Sequence, residues 1–213
     1  MKKKGIALLI AIWLLPIISS AQEPIKVSIP KLDLGLKLGA NLAQLSGNNW
    51  DNGYKASFLG GAFAGLRAHK VGVQIEFFFS QSNYGVSGHS FYDAFSGLYN
   101  NAADSAKNGS FKVTYMNIPV LFQYKLIPLL WLQVGPQYSG VVSVNDVNSL
   151  VKDSKNLFKS GYTSGVIGLE LKLPLHLNFG ARYVIGFASI NNTDVSGAWQ
   201  AKQLQVHVGY AIL

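Results

Sequence analysis

Few residues in this chain could do chemistry. It has four histidines, ten acidic residues and no cysteine, so a disulfide framework, a thiol nucleophile and a thiolate metal site are excluded. His69, His89, His176 and His207 are scattered, and no pair falls at ligand spacing on one strand, which speaks against a metal site. His89 and Ser90 are adjacent, so on an extended segment they point in opposite directions. No G-x-S-x-G elbow accompanies them, and a hydrolase triad has no support. Neither enzymatic activity nor a cofactor is expected. What remains is a set of charged and amide side chains: Glu76, Glu170, Lys172 and Arg182, with Gln74, Gln133, Gln137, Asn178, Gln203 and Gln205. All stand at the polar positions of segments that otherwise alternate with apolar residues. If those positions face a shared interior, each charge must find a partner and each amide a hydrogen bond, or burial costs several kcal/mol apiece.

The segments that carry them have a period of two. Leu32, Leu34, Leu36, Leu38, Ala40 and Leu42 fall on one side of an extended chain, and Asp33, Gly35, Lys37, Gly39 and Asn41 on the other. At the far end Leu204, Val206, Val208, Tyr210 and Ile212 alternate with Gln203, Gln205, His207, Gly209 and Ala211. Comparable alternation runs from Val71 to Ser80, Leu130 to Val142, Ile167 to Leu173 and Leu177 to Phe187. Two further strands are less regular. Phe58 to Arg67 is so rich in glycine and alanine that its faces look alike. In the stretch Phe111 to Phe122 the apolar residues change parity, from Phe111, Val113 and Tyr115 to Ile118, Val120 and Phe122. One extra residue would restore the phase, which predicts a bulge near Asn117 and Pro119. Eight strands result.

The connections between them alternate in length. They are long from Ala43 to Ala56, Gln81 to Gly109 and Asn145 to Ser160, medium from Asn191 to Ala198, and short at Ala68–Lys70, Lys125–Leu129 and around Pro174. All long connections therefore emerge at one end, as in outer-membrane barrels with their even strand number and short periplasmic turns. The polarity agrees. A soluble barrel would present its polar set to water and fill it with lysine and glutamate. Here that set is mostly glycine, asparagine and glutamine, which suits the tight interior of an eight-stranded barrel, while the apolar set suits lipid. The expected fold is all-β: a single eight-stranded antiparallel up-and-down transmembrane β-barrel over residues 32–213, with long extracellular loops and short periplasmic turns.

The start of the chain reads as an export signal. Lys2, Lys3 and Lys4 precede an apolar run from Ile6 to Ile18, and Ser19, Ser20 and Ala21 supply the small residues of a cleavage site. The run is shorter than the roughly 20 residues a membrane helix needs. Residues 1–21 are thus expected to be a signal peptide cleaved after Ala21, with 22–31 a periplasmic segment and the cell outer membrane the destination. Cleavage removes three of the eight net positive charges, and no basic face for nucleic acid remains.

Several stretches then suggest a family. QIEFFFSQ at Gln74–Gln81, YMNIPVL at Tyr115–Leu121, the triplet Gly135, Pro136, Gln137, GARYVIG at Gly180–Gly186 and the closing Gly209, Tyr210 together resemble the PorT-like outer-membrane β-barrel family of the Bacteroidetes. The resemblance spans about Leu32 to the end. It implies a small exported barrel, and it raises a role as accessory of a type IX-like protein secretion system, which fold alone does not carry over.

The remaining expectations concern surfaces. Eight strands leave little free width, so the inward Gln74, Glu76, Gln133, Gln137, Glu170, Lys172 and Arg182 are expected to plug the lumen rather than line a conduction path. About Pro174, Arg182 should lie opposite Gly168 and diagonal to Glu170. Tyr115, Tyr124, Trp131, Tyr138, Tyr162, Trp199 and Tyr210 lie near strand ends and are expected in interfacial girdles. Phe91, Tyr92, Phe95 and Tyr99 stand at roughly helical spacing in the longest loop, as a short amphipathic helix or a binding lip. Lys152, Lys155 and Lys159 could meet lipopolysaccharide phosphates. The expected partners are outer-membrane lipid and lipopolysaccharide, with secretion or surface proteins as further candidates, and the chain is expected to be a monomer. A structural, binding or secretion-accessory role through the loops follows. The alternative is a membrane-embedded lipid-modifying enzyme.

Overall fold

The computed structural model describes residues 30–47, 49–51, 53–86, 88–193 and 197–213. The expected signal peptide, its cleavage after Ala21 and almost all of the 22–31 segment lie outside the described residues. Eight strands form: β1 (Lys31–Ser46), β2 (Lys55–Ala68), β3 (Val71–Val86), β4 (Gly109–Lys125), β5 (Leu130–Asp146), β6 (Gly161–Lys172), β7 (Leu177–Gly186) and β8 (Gln200–Ala211). Each pairs antiparallel with its sequence neighbours, and β1 closes on β8, with Gly39 opposite His207 and Leu36 opposite Tyr210. A closed sheet has no free edge, so the ladders of the wall satisfy its backbone from within, the condition for crossing a bilayer with strands.

Short turns join the strands at one end, where the β2–β3 hairpin needs only His69 and Lys70, and His69 takes the left-handed backbone region. The other end carries the long connections. The longest, 87–108, contains a single helix, α1 (Gly88–Phe95), followed by two short 3₁₀ turns. Strand faces follow the alternation read from the sequence. On the outside Leu36, Leu38, Val73, Ile75, Phe77, Val120, Phe122, Ile167, Leu169, Val206 and Val208 are exposed, a belt around the wall that water would not tolerate and lipid would cover.

The strands run further into the long-loop end than the alternation predicts, and β4 shows why. From Phe111 to Gln123 every odd residue points inward without a break. The bulge expected near Asn117 and Pro119 is therefore absent from β4. Pro119 leaves a gap in the ladder to β3, yet Ile75 opposite Val120 and Phe78 opposite Asn117 keep one register on both sides of it. The one register shift lies opposite Thr114 and Tyr115, whose partners are Ser143 and Val141, so the extra residue is Val142 of β5. What changes along β4 is the chemistry of the interior. Phe111, Val113 and Tyr115 are inside at the long-loop end, and Asn117 and Gln123 are inside lower down.

Candidate functional site

The lumen is built by pairing large side chains with glycine. Arg182 of β7 stands opposite Gly168 of β6, where a Cβ would come within 2.6 Å of the arginine Cγ; the bare backbone lets the guanidinium stem lie along the wall. His207 is flanked by glycine on both sides, Gly39 on β1 and Gly180 on β7, and its ring lies over Gly180. The glycines on the polar face are thus the room into which charged groups fold.

At the centre lies Glu76 of β3, fully enclosed. Arg182 reaches across the lumen and grips it with both terminal nitrogens, Nη1 donating to Oε2 at 2.7 Å and Nη2 to Oε1 at 2.6 Å. Such a bidentate pair is among the strong charge-assisted hydrogen bonds. Lys37 of β1 donates to the same carboxylate and sits 4.4 Å from the Phe78 ring centre, a cation over an aromatic face. Gln74 donates to Glu76 Oε1 at 2.6 Å, Gln123 to Gln74 at 2.9 Å, and the Arg182 Nε to Gln133 Oε1 at 2.8 Å. Glu170 of β6 is the second buried carboxylate, 3.9 Å from Arg182, 3.3 Å from Lys172 and 3.5 Å from the His207 Nε2.

Towards the short turns a second ionic layer closes the wall. Asp33 of β1 holds two cations, Arg67 of β2 and, at 3.1 Å, Lys172 of β6, and both lie over the Trp131 ring. Above the centre the layer is amide and hydroxyl: Asn117 donates to Ser80 at 2.9 Å and accepts from Ser139 at 2.8 Å and from Gln137 at 3.2 Å.

The long-loop end is closed by a different material. Trp50, Tyr84, Phe91, Phe95, Tyr99, Phe111, Phe158 and Trp199 form one buried cluster with Leu150, Leu157 and Ile190. The Trp50 ring is its hub, within 6.0 Å edge-on of Tyr84, Phe91, Phe111 and Trp199. Helix α1 turns its apolar face down into this stopper, with Phe91 and Phe95 ring centres 4.6 Å apart.

Gln74, Glu76, Gln133, Gln137, Glu170, Lys172 and Arg182 all face the interior, and Arg182 lies opposite Gly168 as read. Sequence reasoning missed Lys37, Asp33 and Arg67 as members, although Lys37 and Asp33 stood on the polar face of β1 and were visible as such. Of the aromatic loop residues, Phe91, Phe95 and Tyr99 are buried in the stopper and Tyr92 packs against Tyr99 at 4.9 Å, so the lip is turned inward. The girdle is also smaller than expected. Tyr124, Tyr138 and Tyr210 are exposed on the outer wall, whereas Tyr115, Trp131, Tyr162 and Trp199 are buried inside, because strand-end aromatics serve the interior wherever their parity is inward. Among the described residues no group of three or more His, Cys, Asp and Glu side chains could hold a metal.

The family described as outer membrane protein beta-barrel domain matches residues 20–192. No curated protein matches the chain by sequence. Among solved structures, Neisserial surface protein A is similar at 14% identity, covering 83% of this chain and 96% of its own, with a TM-score of 0.46. Ail, the attachment invasion locus protein of Yersinia pestis, solved with the heparin analogue sucrose octasulfate, gives 12% identity, coverage of 85% and 99%, and a TM-score of 0.46. OprG from Pseudomonas aeruginosa gives 12%, 84% and 95%, and 0.44.

Proposed function

The chain belongs to the outer membrane protein beta-barrel domain family, and from that premise we propose that it is a closed, non-enzymatic barrel that acts through its two ends. The observation that carries this reading is the double closure of the lumen: the Glu76–Arg182–Lys37 cluster fills the middle and the Trp50-centred stopper fills the extracellular mouth. An interior so filled offers no continuous water path, and the strong ionic contacts hold it in one arrangement. What remains for recognition is the outer surface of the loops, where Lys152, Lys155 and Lys159 are exposed above the lipid belt and suited to lipopolysaccharide phosphates. His207 and Glu170 meet inside the lumen, away from lipid, which favours a binding role over a lipid-modifying one.

The reading is tested in planar lipid bilayers with the refolded full chain. No stepwise conductance is expected from the wild type; a stable open level would overturn it. A second, finer reading rests on the order of the motifs from QIEFFFSQ to the closing Gly209, Tyr210, which favours a PorT-like barrel serving as accessory of a type IX-like secretion system. Co-purification of secretion components from detergent-solubilised membranes is its expected consequence.

A further inference from the structure

The two ends of the barrel differ in charge. At the periplasmic end Lys31, Arg67, Lys70, Lys125 and Lys172 gather around the turns, with Asp33 between Arg67 and Lys172. The lumen itself holds four cations, Lys37, Arg67, Lys172 and Arg182, and three carboxylates, Asp33, Glu76 and Glu170. Arg182 and Lys37 both meet Glu76, Glu170 is shared among Lys172, Arg182 and His207, and Arg67 and Lys172 meet at Asp33 towards the mouth. There the wall opens into a cavity of about 460 Å³. It is lined by Lys31, Asp33, Arg67 and Lys172 and by the apolar side chains of Leu32, Leu175 and Leu213.

Those apolar side chains are unusual for turns. Leu175 is 80% exposed, and it and His176 hold the left-handed backbone region, at φ 63° and φ 64°. That conformation crowds the Cβ of an L-residue, and polar residues or glycine normally occupy it. The neighbouring turn, joined to it by the Lys172 amide donating to the Leu129 carbonyl at 2.8 Å, also exposes Leu126, Ile127 and Leu129. The apolar belt of Leu171, Phe179 and Tyr210 therefore has apolar neighbours on the turns, with the His176 ring stacked on Tyr210 between them.

We propose that the periplasmic mouth formed by Lys31, Arg67 and Lys172 over Asp33, with Leu175 at its rim, binds the anionic headgroup of an inner-leaflet phospholipid. Charge complementarity selects the anion, because among the described residues the cations lining the cavity, Lys31, Arg67 and Lys172, outnumber Asp33 and the α-carboxylate of Leu213, and Lys70 and Lys125 stand at the same end. Continuity with the lipid-covered wall selects a lipid as its bearer, since the headgroup can enter the mouth while its chains stay against Leu175 and the exposed turn. A soluble anion would gain nothing from that apolar rim.

The test is native mass spectrometry of the detergent-solubilised full chain titrated with phosphatidylglycerol, with phosphatidylcholine of the same acyl chains, and with inorganic phosphate. Phosphatidylglycerol is expected to be retained at least tenfold more tightly than phosphatidylcholine. Lys31→Gln, at the exposed start of β1, should weaken its retention about fivefold, the usual worth of one interfacial cation. Leu175→Asn should weaken phosphatidylglycerol and leave inorganic phosphate unchanged. Equal retention of the two lipids by the wild type would overturn the proposal, as would a Lys31→Gln variant that binds like the wild type. Inorganic phosphate displacing the lipid at equal concentration would assign the mouth to free anions instead. Lys31 and Leu175 are both exposed, so both variants are expected to keep the heat-shifted folded band of the wild type.

Discussion

The lower and upper halves of the lumen share one wall and one strand parity but are filled by opposite chemistries. In the lower half Glu76, Arg182, Lys37 and the glutamines are inside, and Val120, Ile75 and Leu38 are outside. In the upper half Phe111, Val113, Tyr115 and Tyr84 are inside, and Lys112, Thr114, Gln81 and Asn83 are outside. The difference lies in what surrounds the wall. Where lipid covers the outside, the apolar positions belong there and the interior takes the polar set; where the wall rises into water, the order inverts and the interior packs like that of a soluble barrel. A polarity switch along an unbroken strand therefore marks the membrane boundary: near Leu42–Ala43 on β1, near Phe79–Gln81 on β3 and near Tyr115–Asn117 on β4.

That comparison can be broken by substitution. Glu76→Gln leaves Arg182 and Lys37 buried without their carboxylate and should cost about 3–5 kcal/mol, read from urea unfolding in lipid vesicles. Replacing Lys37, Glu76 and Arg182 together by methionine should restore most of that loss, since a buried ionic cluster is rarely better than apolar packing. In the upper half Trp50→Ala should cost a similar amount, about 3–5 kcal/mol, by emptying the stopper's hub. Its signature differs: proteolysis within 87–108 should appear while the heat-shifted barrel band persists, because the membrane-embedded ladder is untouched. Two substitutions on the outer face of β4 sharpen the boundary. Val120→Lys, beside Ile75 in the middle of the belt, should cost about 2–4 kcal/mol. Lys112→Leu, on the same face above the switch, should change stability by less than about 0.5 kcal/mol. Equal costs at the two positions would refute the inversion.

Much of the architecture was legible because period-two alternation and turn spacing are local. The faces of β1, β3, β7 and β8 and the alternation of long and short connections are written residue by residue, and the position of Arg182 opposite Gly168 follows from the turn at Pro174. The phase change in β4 was legible as well, but its cause was not. Leu42 and Ala43, or Tyr115 and Asn117, look like a slipped register until the surroundings of the wall are known. The interior partners were the least legible part. Arg182 meets Glu76 from 106 residues away and Lys172 meets Asp33 from 139, distances over which pattern carries no information.

The chain by itself determined that this is an even-stranded barrel with a lipid-facing apolar set, an inward polar set and loops gathered at one end. Those properties are set by which residue types alternate and where turns fall. Closure of β1 onto β8 decided the rest: which cations surround Glu76, that the loop aromatics turn inward as a stopper, and that Arg67 and Lys172 meet at Asp33 at the short-turn end. The physical reason is that a barrel brings together side chains from opposite walls, where Coulomb attraction and exclusion of water select partners by distance across the lumen, a quantity that exists only once the sheet has closed.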